Sequence, residues 1–342
     1  MGTSARGSLQ SEAASLVRLG ALTVVLIAVF SLVAPHTFLS TINAQTIAFA
    51  VPEVALLGMC IMVTMSTGGI DLSIVSIMNV SSISAAAVYT HGAVAVPGGW
   101  LLVLALAAAV AVGAVCGLVN GALVAAVGMT PILATLATMQ LFDGVGYVWT
   151  GGRAQYGFGD AFLHLGTGSF AGVPVAMWLL VVVGAAVFVM IRYTRLGVSL
   201  VLVGESLLTA RFSGVRTNRT VITAYVLSGV LAALAGVLVA ARSASASPDY
   251  GDSYLLLAVV IAVLAGVDPD GGRATVVGVL LATLCLQVLS SGFNLTGASP
   301  YWSQISQSLV VIVVLVAERS RITRGALRWR RNRSEIQLKE PS

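Results

Sequence analysis

The chain has 342 residues, of which 58% are hydrophobic and only 9% charged, with a mean hydropathy of +0.98. Soluble domains carry roughly 25% charged residues, so this sequence cannot clothe a globular surface in water and lipid must cover much of it. The polar stretches are too short for an added catalytic domain, the longest being 192–220 and the tail after Glu318.

In chain order, residues 1–15 read as a cytoplasmic segment, 16–318 as a transmembrane domain and 319–342 as a basic cytoplasmic tail. Arg6, Glu12 and Arg18 precede an apolar run that continues to Pro35 without an A-x-A cleavage pattern, so a retained first span is expected. A helix needs about 20 residues to cross a bilayer. Ten segments read as spans: 16–34, 45–66, 71–89, 100–126, 131–150, 175–191, 221–241, 253–267, 274–292 and 302–318. The eighth is short and reads as a tilted half-span or one arm of a hairpin. The expectation is an all-α integral membrane protein of about ten transmembrane helices.

Arginine placement sets the orientation. With the N-terminus and C-terminus both cytoplasmic, every basic residue except Arg153 and Arg242 falls on the inner side. A wrong span count would scatter the charges. The net charge of +5 therefore reflects topology and calls for no nucleic-acid partner. Glycine and alanine crowd the spans, as across 107–117, and let helix backbones approach closely where no hydrophobic effect drives them together.

The second and third spans are joined by Thr67-Gly68-Gly69-Ile70-Asp71-Leu72-Ser73. Two glycines, an acid and a hydroxyl mark a break in the membrane helix. Acids within a membrane cost roughly 2.5–3.5 kcal/mol on insertion scales, so Glu53, Asp71 and Asp143 each require a reason. Asp71 suits a helix cap near the inner interface, where a carboxylate accepts from free backbone N–H groups; the sharper alternative is contact with cargo. Glu53 follows Pro52, and an acid there needs a proton, a partner or a watery cavity, which makes it the better candidate for lining a pathway. Asp143 is balanced between a hydrogen-bonding group and a pathway role.

The segment 192–220 has internal structure. Glu205 or Ser206 suits the start of a short helix that Gly214 ends, with Leu208 and Phe212 on one face at i,i+4 spacing. Such a helix on the cytoplasmic face offers apolar knobs flanked by charge. Cys60, Cys116 and Cys285 lie singly in apolar runs, with no spacing for disulfides or a metal site. His36, His91 and His164 fall on predicted outer segments, away from mid-span.

Together these segments resemble the permease subunits of carbohydrate importers of the ATP-binding-cassette (ABC) class, the ribose and rhamnose type. The 67–73 run looks like the family's signature. Asn120-Gly121 and the 130–139 stretch Thr-Pro-Ile-Leu-Ala-Thr-Leu-Ala-Thr-Met are similar to its Asn-Gly and Pro-Phe-Ile-Ala-Thr-Leu elements. Gly204 to Gly214 matches its Gly-x-Asn-x-x-Ala-Ala-Arg-x-Ser-Gly loop, and Tyr225, Ser228-Gly229, Ala235-Gly236, Gly271-Gly272-Arg273 and Gly278 continue the likeness. Coverage runs from about Ala44 to Glu318. Glu205 stands where asparagine is common and Thr209 where alanine is, and the Tyr-Glu-Leu-Asp-Ala-Ile stretch is Tyr254-Leu255-Leu256-Leu257-Ala258-Val259 here, without its acids. The family's glycine pair before the later turn is Ala265-Gly266, and the 249–254 and 289–295 stretches lean toward the rhamnose-type branch.

The resemblance implies a coupling helix that docks on an ATPase, carried here by Gly204, Glu205, Leu208, Ala210, Arg211, Phe212 and Gly214. It places the inner helix break at Gly68, Gly69, Asp71 and Ser73, with Asn120, Thr135 and Thr138 joining Glu53 and Asp143 as possible pathway residues. It also implies two ABC ATPase domains, a second permease (identical or a sister) and an extracytoplasmic sugar-binding protein, in a bacterial cytoplasmic membrane. No G-x-x-x-x-G-K-[ST] run is present, so no cofactor is expected on this chain, and ATP and Mg belong to the partners. The expected cargo is a monosaccharide; a nucleoside or furanosyl signalling molecule is the alternative within the class. An ion-coupled secondary transporter would show related halves and several mid-membrane ionisable groups. A membrane enzyme would need a nucleophile–base or metal-ligand grouping, and none is visible.

Overall fold

The computed structural model describes residues 3–92, 98–297, 301–302, 305–309 and 312, with side chains from Leu16 onward except at 91, 92 and 98. The chain runs through α1 (Thr3–Val33), α2 (Pro35–Phe38), α3 (Thr41–Met65), α4 (Ile74–Gly92), α5 (Gly98–Ala122), α6 (Pro131–Thr150) and α7 (Asp160–Thr167). A small hairpin of β1 (Ser169–Phe170) and β2 (Val173–Pro174) leads into α8 (Val175–Tyr193), α9 (Arg195–Glu205) and α10 (Leu207–Phe212). Then follow α11 (Thr217–Ser243), α12 (Tyr254–Leu264) and α13 (Val276–Leu295).

Among the described residues, six helical stretches are long and apolar enough to cross a membrane: Leu16–Val33, Thr41–Met65, Gly99–Val127, Val175–Tyr193, Thr217–Ser243 and Val276–Leu295. The predicted third, fifth and eighth segments fall on α4, α6 and α12. The predicted tenth, 302–318, lies mostly outside the described residues, and the basic tail 319–342 wholly so. At 11 residues, α12 rises only about 17 Å, a little over half of a hydrocarbon core of about 30 Å. That length is compatible with either expected form, a tilted half-span or one arm of a hairpin.

Two local readings need correction. The third segment starts its helix at Ile74 and not at Asp71, because the Asp71 carboxylate accepts from the Ser73 N–H and folds residues 71–73 into an Asx turn. The stretch 192–220 carries two helices where one was expected. α9 continues the apolar pattern of α8 after a turn in which the Thr194 hydroxyl accepts from the Gly197 N–H.

α3 lies at the centre. Every residue from Val51 to Ser66 is buried, as befits a helix that is apolar on all sides. α11 packs beside it and meets α5 along a seam of glycines one turn apart. A Cβ on Gly113 would lie 2.3 Å from Gly229 O, one on Gly117 2.2 Å from Tyr225 O, and one on Gly121 2.7 Å from Ile222 Cα. The obstructing atoms are backbone, so any larger side chain forces the two helices apart. α4 meets α11 the same way, with Gly236 pressed on Met78 O. The outward faces of α1, α6 and α8 expose Leu32, Val148 and Val182 among many apolar residues, a surface that suits lipid. A second cluster, in which Tyr89 meets the stacked rings of Phe158 and Phe162 edge-on, holds α7 across the end of α11. There Gly166 sits directly on the backbone of Ala241 and Arg242.

Candidate functional site

α3 stops at Met65, and Gly68, with φ +80, makes the reversal that a side chain would strain. Gly69 is buried against Tyr225 Oη and Pro131, 2.7 and 3.1 Å from where its Cβ would be. Asp71 follows and is fully buried. Its Oδ1 accepts from Ser73 N at 3.0 Å, from Ser73 Oγ at 2.7 Å and from Asn120 Nδ2 at 3.3 Å. Its Oδ2 accepts from Ser228 Oγ at 3.1 Å. Asn120 Nδ2 also donates to Ser73 Oγ at 2.7 Å. One carboxylate thus ties the break to α5 and α11. From α6, Thr135 donates to Ile70 O at 3.2 Å, while the buried Thr138 donates to Thr135 O one turn further along.

The break also touches the 192–220 segment. A Cβ on Gly204 would lie 2.1 Å from Ser66 O and 2.4 Å from Gly272 N, and Gly272 N donates to Ser66 O at 3.1 Å. A Cβ on Gly271 would lie 2.7 Å from Gly204 Cα and 2.9 Å from Gly68 N. The end of α3, the end of α9 and the turn between α12 and α13 therefore meet backbone to backbone.

Beyond that point the Ser206 hydroxyl accepts from Thr209 N at 3.2 Å and caps α10. Gly214, with φ +78, closes it while Val215 N donates back to Ala210 O. Ala210 is fully buried and anchors α10. Arg211 Nε donates to Thr217 Oγ1 at 3.4 Å. Leu208 and Phe212 are 65% and 85% exposed, and Glu205 lies on the rim with its side chain beside Gly272.

Glu53 belongs to a separate cluster on α3. Its Oε1 lies 2.7 Å from Arg242 Nη2 and accepts from Tyr254 Oη at 3.1 Å, joining α3, the end of α11 and the start of α12. A cavity of about 520 Å³ opens here, with Thr283, Gln287, Ser290 and Asn294 on its α13 side. The acid is buried but the Arg242 side chain is 39% exposed. Its worth therefore lies between an exposed pair and a buried one, about 1–3 kcal/mol. A double-mutant cycle of Glu53→Gln and Arg242→Gln, read by thermal unfolding in detergent, should show a coupling of that size. Strictly additive losses would mean that the contact contributes nothing.

The predicted residues thus divide. Asn120, Thr135, Asp71 and Ser73 come together at the break, with Thr138 one turn away. Asp143, half-buried on α6, interacts with Ser76 of α4. Glu53 stands apart with Arg242. Sequence reasoning missed Arg242 and Tyr254 as partners of Glu53, Ser228 as a partner of Asp71, and Ser66 and Gly272 as the seat of Gly204. A signal for Arg242 was present: it is one of the two basic residues that the expected topology leaves off the inner side, and a buried acid calls for a cation. Among the described residues no group of three His, Cys, Asp or Glu side chains is placed to hold a metal ion.

Residues 43–315 match the family described as the permease component of branched-chain amino acid transport systems. The ribose import permease protein RbsC of Escherichia coli is 35% identical over 302 residues, covering 86% of this chain and 90% of the relative. The protein of the same name from Bacillus subtilis is 32% identical over 299 residues, covering 87% and 90%. The autoinducer 2 import system permease protein LsrD of Salmonella paratyphi B is 31% identical over 270 residues, covering 77% and 79%. With helices of membrane-crossing length, a glycine-broken α3–α4 junction and likeness over most of its length, the chain belongs to this family of multi-pass permeases, as the membrane component of a sugar importer of the ABC class.

Proposed function

We propose that the chain forms one half of the translocation path for a neutral monosaccharide of the ribose or rhamnose kind. In this reading a second permease, identical or a sister, completes the path within the bacterial cytoplasmic membrane. A binding protein delivers the sugar from outside, and two ATPase domains, holding the ATP and Mg, dock below. The chain spans about ten times with both termini cytoplasmic. The observation that carries the reading is the contact of Gly204 with Ser66 and Gly272. A push on the exposed face of α10 passes through the end of α9 to the end of α3 and the head of α13, with no flexible side chain between. ATP-driven closure of the ATPases would then rock the bundle between outward- and inward-open states. Of the expected pathway residues, Glu53 beside its cavity and the half-buried Asp143 are the polar groups offered to the path, whereas Asn120, Thr135 and Thr138 are buried and bonded at the break. Specificity rests mainly with the binding protein.

Phe212 and Leu208 are the apolar knobs an ATPase groove would take up. Aromatic anchors of this kind contribute about 2 kcal/mol or more to an interface, so Phe212→Ala should weaken ATPase binding about 30-fold. Arg211→Glu should impair docking and uptake together. Normal ATPase recruitment to membranes and normal uptake in both variants would remove the coupling assignment. The relative named for autoinducer 2 makes a furanosyl signalling molecule the competing cargo. Uptake of labelled ribose or rhamnose, challenged with unlabelled sugars, a nucleoside and that molecule, decides among them. Uptake that survives ATP depletion but collapses with an ionophore would turn the reading toward a secondary transporter.

A further inference from the structure

We infer that the chain binds an anionic phospholipid in a groove beside α9, with the headgroup phosphate held by Arg192 and Arg273. The groove has a volume of about 730 Å³ and lies between the start of α1, the α8–α9 corner and the turn before α13, with Arg18, Arg192 and Arg273 in its lining. Each arginine sits at the end of an apolar span. Arg18 is two residues into Leu16–Val33, Arg192 is next to last in Val175–Tyr193, and Arg273 is three residues before Val276–Leu295. Three span ends meeting at one groove put the guanidinium groups at the depth of lipid headgroups.

Among the described residues neither Arg192 nor Arg273 has a carboxylate partner, and Glu205 is the only acid in the lining. The rest of the wall is largely apolar, including Phe188, Val198, Val201 and Val276. A free inorganic phosphate has no use for such walls, whereas a phosphodiester carrying acyl chains satisfies the charges and the apolar surface together. Basic pockets between transmembrane helices are suited to this chemistry, and arginine forks fit phosphate oxygens better than a point charge does. Gly272, part of the seat of Gly204, and Glu205, its chain neighbour, also line the groove, so the lipid would sit against the α9–α3 contact.

The test uses the full chain in phosphatidylcholine nanodiscs containing a minority of phosphatidylglycerol, with lipid retention read by native mass spectrometry after transfer to detergent. The wild type should retain one phosphatidylglycerol. Arg192→Gln with Arg273→Gln should weaken retention about 30-fold, while Arg153→Gln, distant from the groove, should retain it. Retention unchanged in the double variant, or equal retention of phosphatidylcholine, would overturn the proposal, as would displacement of the lipid by inorganic phosphate. If the double variant does not fold, a phosphatidylglycerol photoprobe on the wild type decides. Labelling concentrated at 188–202 and 273–277 supports the site, and labelling spread along the other spans removes it.

Discussion

Replacing Asp71 by alanine should destabilise the protein by about 3–5 kcal/mol, seen as a large drop in melting temperature in detergent. The carboxylate accepts four hydrogen bonds in a fully buried place. Alanine strands the Ser73 N–H and the Ser228 hydroxyl and weakens the hold on Asn120, at about 1–3 kcal/mol for each buried group left unsatisfied. Asn120 keeps its bond to Ser73 Oγ, which limits the loss. Asp71→Asn preserves one acceptor oxygen, and a hydroxyl can accept as well as donate, so its cost should be about 1–2 kcal/mol. Wild-type melting in the alanine variant would refute the tie. Near-native stability in the asparagine variant combined with lost uptake would instead place Asp71 against cargo.

Substitution at Gly204 should uncouple hydrolysis from transport. The methyl of Gly204→Ala would lie 2.1 Å from Ser66 O and 2.4 Å from Gly272 N. Neither is the yielding end of a side chain. Relief requires α9 to move off the end of α3 and the Gly271–Gly272 turn, breaking the contact through which, on the proposed mechanism, motion passes. In proteoliposomes holding the assembled transporter, ATPase activity should persist while uptake falls at least about tenfold, a change of about 1.4 kcal/mol in effective coupling. Gly214→Ala is the contrasting case. There the strain is a positive φ with open space around it, and the cost should stay near 1 kcal/mol of local stability. Full uptake in Gly204→Ala would show that the close approach carries no force.

The sequence made most of the framework legible because a membrane imposes simple rules. Apolar length marked α3, α5, α8, α11 and α13, and Gly68 with Asp71 marked where α3 ends. The start of α10 at Glu205 or Ser206 and its stop at Gly214 were equally readable, since capping is local. Less accessible were features that depend on which distant segments meet. Ser228 and Asn120 stood out only by family likeness, and nothing in the sequence showed that α5 and α11 bring both to one carboxylate. Gly204 reads as a loop glycine, yet its constraint comes from Ser66 and Gly272. α9 was not foreseen as a separate helix, because Arg195–Glu205 is only 11 residues and its burial depends on tertiary packing. The acids of 16–318 raised the right question, but only the fold supplied Arg242 and Tyr254 as the answer to Glu53.

The Glu53 cluster has a consequence for how the protein is made. Tyr254 follows Glu53 by 201 residues, and Arg242 is synthesised only shortly before Tyr254. At roughly 5–20 residues per second, α3 emerges from the ribosome about 10–40 s before its acid can be neutralised by a neighbour. During that interval the segment must hold its place in the bilayer against a penalty of about 2.5–3.5 kcal/mol. The long aliphatic residues that follow, among them Leu56, Leu57 and Ile61, each favour insertion by about 0.3–0.6 kcal/mol. Together they offset the cost of the unpaired acid before the finished core exists. Polar substitutions along α3 that the mature packing could absorb would be lost earlier, at the translocon, as chains that never enter the membrane.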